Sequence, residues 1–294
     1  MSQGSTKNLI IFTDLDGTLL DYYTYSFDAA LPALNLLKEK GIPLIICSSK
    51  TRKEIEYYRK KLENHHPFIS ENGGGIFIPK GYFKSGMYDS ELKVEEENIY
   101  YLISLGARYP DLRKTVEELR KEGFDLRGFG DMTPGELAEL ANMSIHEAEM
   151  AKGRDFDEPF VFHGPEKENQ KLNDSIKAKG FNFTQGRFHH ILGNSDKGKA
   201  VSILIELYKK NFDGVITIAI GDNINDIPML EKADYPVLVQ KPDESYNHHI
   251  KIPGLIKADG AGPDGWNRAI NGLLDNLLFR GFYQRSASRH YSNP

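Results

Sequence analysis

The fold is decided by residues 9–18, which read LIIFTDLDGT. The apolar residues Leu9 to Phe12, closed by polar ones, predict a short buried strand. Asp14 and Asp16 follow the carboxyl end of that strand, which is where parallel α/β sheets bind their ligands. Because residues two apart in an extended chain point the same way, both carboxylates are expected on one side. Two anions placed so close are costly unless a cation or a proton transfer uses them, so this edge of the sheet is predicted to be reactive.

A second acidic loop follows another apolar run. Val215 to Ile220 predicts a buried strand, and residues 221–226 after it read GDNIND. Their carboxylates are therefore also expected at a sheet edge, where hard oxygen ligands suit Mg²⁺. An acidic helix N-cap is the alternative, and it explains either Asp222 or Asp226 better than it explains both.

Two weaker signals complete the set. Ser48 and Ser49 follow a further predicted buried strand, Ile42 to Cys47, and a hydroxyl there can hold a phosphate oxygen. Lys197 and Lys199 stand at the start of a predicted helix, where an ammonium can neutralise a phosphate and a carboxylate. Alone, such serines are usually helix caps and such lysines are solvated surface charges. Together, four strand ends supply a nucleophile, a hydroxyl, a cation and metal ligands in a sensible chain order.

Strands and helices alternate on both sides of a long insertion. Before and after it, apolar strands separated by helices predict a parallel sheet with helical crossovers. Within it, residues 94–105 are predicted to be helical, and aromatic, charged and glycine residues mix without one long apolar run. The predicted fold class is therefore α/β. A Rossmann-like parallel-sheet core is assigned to residues 1–81 and 193–294, and an inserted α/β domain to residues 82–192.

Composition limits the classes of partner. The 294 residues carry a formal net charge of −5, and the pI near 6.0 disfavours a nucleic-acid partner, which would call for a basic face. No apolar run approaches the roughly 20 residues that span a bilayer, so no membrane partner is expected. The single cysteine, Cys47, cannot form an intrachain disulfide, which fits a reducing cytoplasmic setting. The acidic balance does not exclude a local basic pocket for an anionic small molecule, and the oligomeric state is left open.

The four loops in this order resemble the haloacid dehalogenase superfamily of phosphatases. That resemblance implies Mg²⁺ as cofactor and an aspartyl-phosphate intermediate on Asp14, the nucleophile, with Asp16 as general acid and base. The remaining roles that it implies are phosphate binding by Thr18, Asn225 and Ser48, with Ser49 as a rival to Ser48; charge balance by Lys197, with Lys199 less favoured; and metal binding by Asp14, Asp222, Asp226 and Asp16, the last through its main-chain carbonyl.

The insertion is similar to the large α/β cap of the superfamily's sugar-phosphatase branch. A closer resemblance is to the mannosyl-3-phosphoglycerate phosphatases, which make the compatible solute mannosylglycerate. It is carried by five stretches, which are residues 46–52 (ICSSKTR), 70–79 (SENGGGIFIP), 131–133 (DMT), 151–160 (AKGRDFDEPF) and 186–190 (GRFHH).

The closer resemblance implies a substrate with a phosphate, a carboxylate and a sugar. The carboxylate then needs cations from the insertion, and the candidates are Arg154, Arg187 and His190, since arginine grips a carboxylate with two parallel hydrogen bonds. The alternative for each is a surface salt bridge with a neighbour such as Asp155 or Glu158. A glucosyl substrate, another sugar phosphate and a phosphomutase reaction all stay open.

Overall fold

The computed structural model describes residues 8–84, 86, 88, 92–185 and 187–288, with side chains up to residue 277. In this part of the chain the larger of two sheets has nine strands, in the order β13-β12-β11-β1-β2-β3-β4-β6-β5. They are β1 (Asn8–Thr13), β2 (Leu44–Cys47), β3 (Phe68–Ser70), β4 (Gly75–Pro79), β5 (Val94–Glu97), β6 (Tyr100–Ser104), β11 (Val215–Gly221), β12 (Tyr235–Gln240) and β13 (Ile256–Ala261).

The central strands of this sheet are parallel and buried on both faces. β1 pairs with β11 on one side and with β2 on the other, both in parallel register. Side chains alternate between two apolar cores, with Ile11 in the first and Ile10 and Phe12 in the second. This double burial explains why the sequence of these strands is an almost continuous apolar run.

Helices cover both faces of the nine-stranded sheet. One face packs against α1 (Leu31–Lys40), α2 (Arg52–Lys61) and α9 (Gly262–Ser288), which contributes the buried Trp266. The other face packs against α7 (Lys197–Asn211) and the short α8 (Ile227–Leu230). The result is the three-layer α/β core that the sequence predicts.

Residues 94–105 are not helical, so that part of the prediction is wrong. They form the antiparallel hairpin β5–β6, which turns at Asn98 in a left-handed conformation (φ 45°). β6 also pairs with β4, so the hairpin extends the larger sheet. It therefore lies in the core sheet, although the assigned insertion begins at residue 82; the division of the chain into two domains stays a prediction.

Residues 109–185 and 187–192 form a second group of helices and strands, which we call the cap. Its four-stranded antiparallel sheet has the order β7-β8-β10-β9. The elements are β7 (Leu126–Gly128), β8 (Asp157–Phe162), β9 (Asn182–Gln185), β10 (His189–Leu192), α3 (Tyr109–Lys121), α4 (Pro134–Ala141), α5 (Ile145–Ala151) and α6 (Asn169–Ala178). Leu112, Phe160 and Ile191 belong to a separate apolar core, so the cap is stabilised by its own buried surface.

The connections place the predicted loops at one edge of the larger sheet. Asp14 follows β1, Ser48 follows β2 and Asp222 follows β11, and these three strands are neighbours. Asp14 is fixed to the neighbouring strand β11, because its main-chain amide donates to the carbonyl of Ile220 at 3.0 Å. No helix in the described part of the chain is both long and apolar enough to cross a membrane.

Candidate active site

Asp14 lies at the centre of the acidic loops. Its side chain is nearly buried, with 6% of the residue exposed, and burial raises the pKa of its carboxyl to about 7, against the lowering effect of the adjacent Lys197. The loop turns directly after it at Gly17, which has φ 73°. A Cβ at Gly17 would lie only 3.1 Å from Asp222 Oδ2, so glycine lets the two acidic loops approach closely.

Lys197 is the counter-ion of this cluster. Its Nζ lies 2.5 Å from Asp14 Oδ1 and 2.6 Å from Asp226 Oδ1. Burial acts to lower the pKa of Lys197, but the two adjacent carboxylates raise it above its ordinary value. Lys199 instead lies on the surface, where its Nζ donates to the Asn194 side chain at 2.7 Å. Of the two candidate lysines, the structure therefore places Lys197 at the acidic loops and Lys199 at the surface.

The loop after β11 is organised around Asp226. Oδ2 of this fully buried residue accepts hydrogen bonds from the amides of Asp222 and Asn223, at 3.0 and 3.1 Å. Asp222 in turn accepts a 3.3 Å hydrogen bond from the hydroxyl of the buried Thr18. An acidic N-cap alone does not explain this arrangement, because Asp226 contacts backbone amides with one oxygen and Lys197 with the other.

The three acidic side chains fit a divalent cation. Ligand oxygens of Asp14, Asp222 and Asp226 lie within 4.8 Å of one another. Burial, and then the charges of Asp226 and Asp14, raise the pKa of Asp222 well above its ordinary value. One lysine against three carboxylates leaves excess negative charge in a site screened from water, and carboxylate oxygens are the donors that Mg²⁺ prefers.

Asp16 extends from the same loop towards solvent, with 39% of its side chain exposed. Lys50 holds it there, because the lysine Nζ lies 3.0 Å from Asp16 Oδ1 and 3.5 Å from Glu54 Oε1. The ammonium also lies 5.0 Å from the ring centroid of Tyr25. Although burial acts to lower the pKa of Lys50, Asp16 and Glu54 raise it, so the lysine stays a cation beside Asp16.

The predicted phosphate-binding side chains surround this centre. Ser49 lines the cavity described below, whereas Ser48 is fully buried and its hydroxyl accepts a hydrogen bond from the Lys50 amide at 3.2 Å. Asn225 lines the cavity, and its side-chain amide donates to Asn72 Oδ1 at 3.1 Å.

A cavity of about 530 Å³ separates the acidic loops from the cap. This volume is within the usual range for small-molecule sites. Charged and aromatic side chains line it from both sides. The core contributes Asp14, Asp16 and Tyr25, and the cap contributes Arg154, Arg187 and His190.

The three predicted cap residues differ in their contacts. Arg154 connects the cap to the core, because its Nη1 donates to the carbonyl of Ser49 at 2.7 Å. Its Nε donates within the cap, to the carbonyl of Ala151 at 2.9 Å. Arg187 is exposed, and its Nη1 donates to the hydroxyl of Tyr25 at 3.1 Å. Neither arginine pairs with Asp155 or Glu158, although Arg154 Nη2 lies 4.0 Å from Glu54 Oε2 in the core.

Some residues of the site were missed by the sequence reasoning. Lys50 belongs to the stretch ICSSKTR but was assigned no role. Its place two residues after Ser48, at the end of a strand, is a signal that it lies near the site. Tyr22, Tyr23 and Tyr25, in one short stretch after the first acidic loop, all line the cavity. Their clustering is visible in the sequence, but the contact between Tyr25 and Arg187 joins residues 162 positions apart and has no local signal.

The family of this chain follows from its similarity to known proteins. A model described as haloacid dehalogenase-like hydrolase matches residues 11–124 and 139–252. The chain belongs to the haloacid dehalogenase-like hydrolases. This family, the names of its relatives and the geometry of the site agree on a phosphoric monoester hydrolase.

Two curated relatives cover most of the chain. A glucosyl-3-phosphoglycerate/mannosyl-3-phosphoglycerate phosphatase from Methanococcoides burtonii is 50% identical over 267 residues, which are 90% of this chain and 97% of the relative. A mannosyl-3-phosphoglycerate phosphatase from Pyrococcus furiosus is 38% identical over 231 residues, covering 78% of this chain and 90% of the relative.

Two solved structures share the fold. A haloalkanoate-superfamily phosphatase from Bacteroides thetaiotaomicron superposes with a TM-score of 0.64 at 16% identity, covering 94% of this chain and 97% of that one. A protein from Thermoplasma acidophilum gives a TM-score of 0.62 at 18% identity, covering 90% and 96%. At these identities the likeness concerns the fold alone, and it agrees with the predicted α/β class.

Proposed function

We propose that this hydrolase removes the phosphate from mannosyl-3-phosphoglycerate and from its glucosyl counterpart. The observation that carries the proposal is the 50% identity to a relative whose name contains both substrates, over 97% of that relative's length. The cavity supports it, because Arg187 and His190 face the acidic loops from the cap. A substrate with a carboxylate on its leaving group needs cationic or hydrogen-bond-donating side chains on the side of the cavity opposite its phosphate.

The first step transfers the phosphoryl group to Asp14. A carboxylate oxygen of Asp14 attacks phosphorus and forms an O–P bond while the bond from phosphorus to the glycerate oxygen breaks. Asp16, which is held at the cavity by Lys50, donates a proton to the departing oxygen. Lys197 balances the charge at Asp14 throughout, since its ammonium contacts that carboxylate directly.

The second step hydrolyses the aspartyl phosphate. Asp16, now a carboxylate, takes a proton from water as the water oxygen attacks phosphorus. The bond from phosphorus to Asp14 breaks, free phosphate leaves and Asp14 is restored. Ser49 and Asn225, which line the cavity, bind the phosphoryl oxygens in this proposal. The buried hydroxyls of Thr18 and Ser48 contact Asp222 and the Lys50 amide, and so support the two loops.

Mg²⁺ is the proposed cofactor. The residues that would hold it are Asp14, Asp222 and Asp226, with the main-chain carbonyl of Asp16. When bound, the ion supplies charge neutralisation for the phosphoryl oxygens.

The experiment that tests this function is phosphate release measured over a panel of substrates. The panel contains mannosyl- and glucosyl-3-phosphoglycerate, simple sugar phosphates and p-nitrophenyl phosphate, each with Mg²⁺. We expect the two hexosyl-3-phosphoglycerates to have the highest kcat/KM, and Asp14→Asn to lose turnover on every substrate. A simple sugar phosphate at the top of the panel would overturn the substrate assignment, and phosphate returned to a sugar in a single turnover would indicate a mutase.

A further inference from the structure

A series of hydrogen-bonded side chains connects the acidic core to the cap. Asn225 Nδ2 donates to Asn72 Oδ1 at 3.1 Å, and Asn72 Nδ2 donates to Asp157 Oδ2 at 2.9 Å. Both oxygens of Asp157 then lie 3.0 Å from His190 Nδ1. We call these four residues, Asn225, Asn72, Asp157 and His190, the cap relay. It begins in the loop that carries Asp222 and Asp226, and it ends at the cavity wall.

The relay is costly to bury. Asp157 is fully buried, and Asn72 and His190 are 3% and 5% exposed. Within the described residues, the hydrogen bonds to the Asp157 side chain come from Asn72 and His190. A buried carboxylate is expensive to desolvate, and a well-packed apolar group of similar size is often at least as stabilising. Stability alone therefore gives no reason for an aspartate here.

The turn that carries Asn72 is fixed against both the core and the cap. Asn72 has φ 55°, a left-handed conformation that asparagine and glycine adopt readily. At the next residue, Gly73, a Cβ would lie 2.2 Å from the carbonyl oxygen of Asp196, directly before the catalytic loop's Lys197. At Gly74 it would lie 2.3 Å from Cβ of Phe156 in the cap. The Asn72 side chain is thus presented to Asp157 by a turn with no room to shift.

We propose that Asp157 and Asn72 are positioning residues that orient His190 towards the leaving group of the substrate. The inference rests on the proposed function, which places the leaving group in the cavity. Asp157 accepts the Nδ1 proton of His190, which fixes the ring and its tautomer. Because His190 lines the cavity, the opposite ring edge with Nε2 is the one offered to oxygen atoms of the leaving group.

Specificity is the property that this arrangement controls. The hydrogen bonds from His190 back to Asn225 make the orientation of a cap residue depend on the loop that binds the phosphate. A substrate with a large polar leaving group uses both ends of the relay. A small ester such as p-nitrophenyl phosphate has neither the carboxylate nor the hydroxyl groups that Nε2 would bind, so it uses the core end alone.

The test is a double-mutant cycle on two substrates. The variants are Asp157→Asn, Asn72→Gly, which keeps the left-handed turn, His190→Ala, and the double variant Asp157→Asn/His190→Ala. For the hexosyl-3-phosphoglycerate, we expect each single variant to lose about 10- to 100-fold in kcat/KM, by analogy with the loss seen when the hydrogen-bond partner of a metal-binding histidine is removed. For p-nitrophenyl phosphate we expect Asp157→Asn to change kcat/KM by no more than about twofold. Asn72→Gly also releases Asn225, so it should lower kcat/KM for this ester too, but by less than for the hexosyl-3-phosphoglycerate. The double variant should be no worse than His190→Ala, because Asp157 acts through that ring.

The neighbouring histidine provides the matched control. His189 is on the opposite face of β10, where its ring packs 5.3 Å from that of Phe183. We expect His189→Gln to change stability and to leave the ratio of the two kcat/KM values as in wild type. In ¹⁵N spectra of labelled histidine, wild type and His189→Gln should keep the His190 Nδ1–H signal, which Asp157→Asn should shift.

Equal losses on both substrates, or losses that add in the double variant, would overturn the relay and leave Asp157 a structural residue. An unshifted His190 signal in Asp157→Asn would overturn it as well. If wild type does not prefer the phosphoglycerate, the proposed substrate fails instead. The same cycle and spectra, run with the sugar phosphate that wild type cleaves fastest, then decide the relay separately.

Discussion

Lys197 Nζ lies 2.5 Å from Asp14 Oδ1 in a site where the lysine residue is only 1% exposed. The same ammonium lies 2.6 Å from Asp226 Oδ1. A single buried cation thus connects the loop after β1 with the loop after β11. Both its partners depend on it, because a buried carboxylate without a counter-ion is strongly destabilising.

Lys197→Met keeps the length of the side chain and removes its charge. We expect turnover to fall by at least about 10²-fold, since no other described cation contacts Asp14. We also expect a loss of about 3–5 kcal/mol in the free energy of unfolding without metal, the usual result of breaking a buried ion pair. Enzyme kinetics measures the loss of turnover, and urea unfolding measures the loss in the free energy of unfolding. Lys199→Met, two residues away and on the surface, is the control, and it should change neither by much.

Mg²⁺ should stabilise the free protein. Excess negative charge at Asp14, Asp222 and Asp226 is relieved when a cation binds, and a ligand at a hundred times its Kd adds about 2.7 kcal/mol to the free energy of unfolding. The measurement is Tm in EDTA and over a Mg²⁺ titration. Asp222→Asn should raise Tm in EDTA and shrink the Mg²⁺ effect. A Tm that does not respond to Mg²⁺ in wild type contradicts a metal site at these residues.

Ca²⁺ separates metal binding from catalysis in the same experiment. It takes the same oxygen ligands but prefers more of them, at longer distances. It should therefore raise Tm as Mg²⁺ does, while turnover at fixed Mg²⁺ falls as Ca²⁺ is added.

The sequence predicted the elements that local pattern determines. β1, β2 and β11 are buried on both faces, so their apolar runs were readable, and the acidic loops follow them directly. The hairpin at residues 94–104 was missed because its identity depends on pairing with β4, not on its own residues. The capping box of Thr51 and Glu54 is, by contrast, entirely local, because a threonine followed three residues later by a glutamate is a helix-start pattern that the sequence alone displays.

The residues of the site also differ in how far the sequence alone predicts them. Asp14 and Asp222 stand in motifs that a short stretch of sequence can specify. The role of Asn72 cannot be read locally, because the residue that it contacts, Asp157, lies 85 positions further along the chain. Lys50 is intermediate, since its neighbour Ser48 was recognised but the approach to Asp16 depends on the path of the loop after β1.

Lys50 is expected to position Asp16. Replacing it by Met removes the 3.0 Å contact to that carboxylate, and a misplaced group about 1 Å from its productive position costs on the order of 10² in rate. We expect kcat to fall by that factor on the hexosyl-3-phosphoglycerate and on p-nitrophenyl phosphate alike, because both need the proton from Asp16. Asp16→Asn alone should cost about 10²- to 10⁴-fold, and adding Lys50→Met to it should cost little more. Lys53→Met, on the exposed side of α2, is the control; an effect equal to that of Lys50→Met would contradict the positioning role.

The two arginines of the cap make different contacts, so their removal should have different consequences. Arg154 donates to the carbonyl of Ser49 in the core and also lines the cavity. Arg154→Ala is therefore expected to loosen the attachment of the cap and to lower kcat/KM on both substrates.

Arg187 is exposed and reaches over the cavity to the hydroxyl of Tyr25. In that position its guanidinium is available to a carboxylate, and a hydrogen bond to a charged group is worth about 1.5–3 kcal/mol. Arg187→Ala should therefore lower kcat/KM for the hexosyl-3-phosphoglycerate by about 10- to 100-fold. It should leave p-nitrophenyl phosphate almost unchanged, since that ester has no carboxylate. Tyr25→Phe removes the hydroxyl that the arginine contacts but keeps the charge, so its effect on the ratio should be much smaller. If the ratio of the two kcat/KM values is the same in Arg187→Ala as in wild type, this arginine does not bind the glycerate, and the carboxylate must be recognised by His190 or by Arg154.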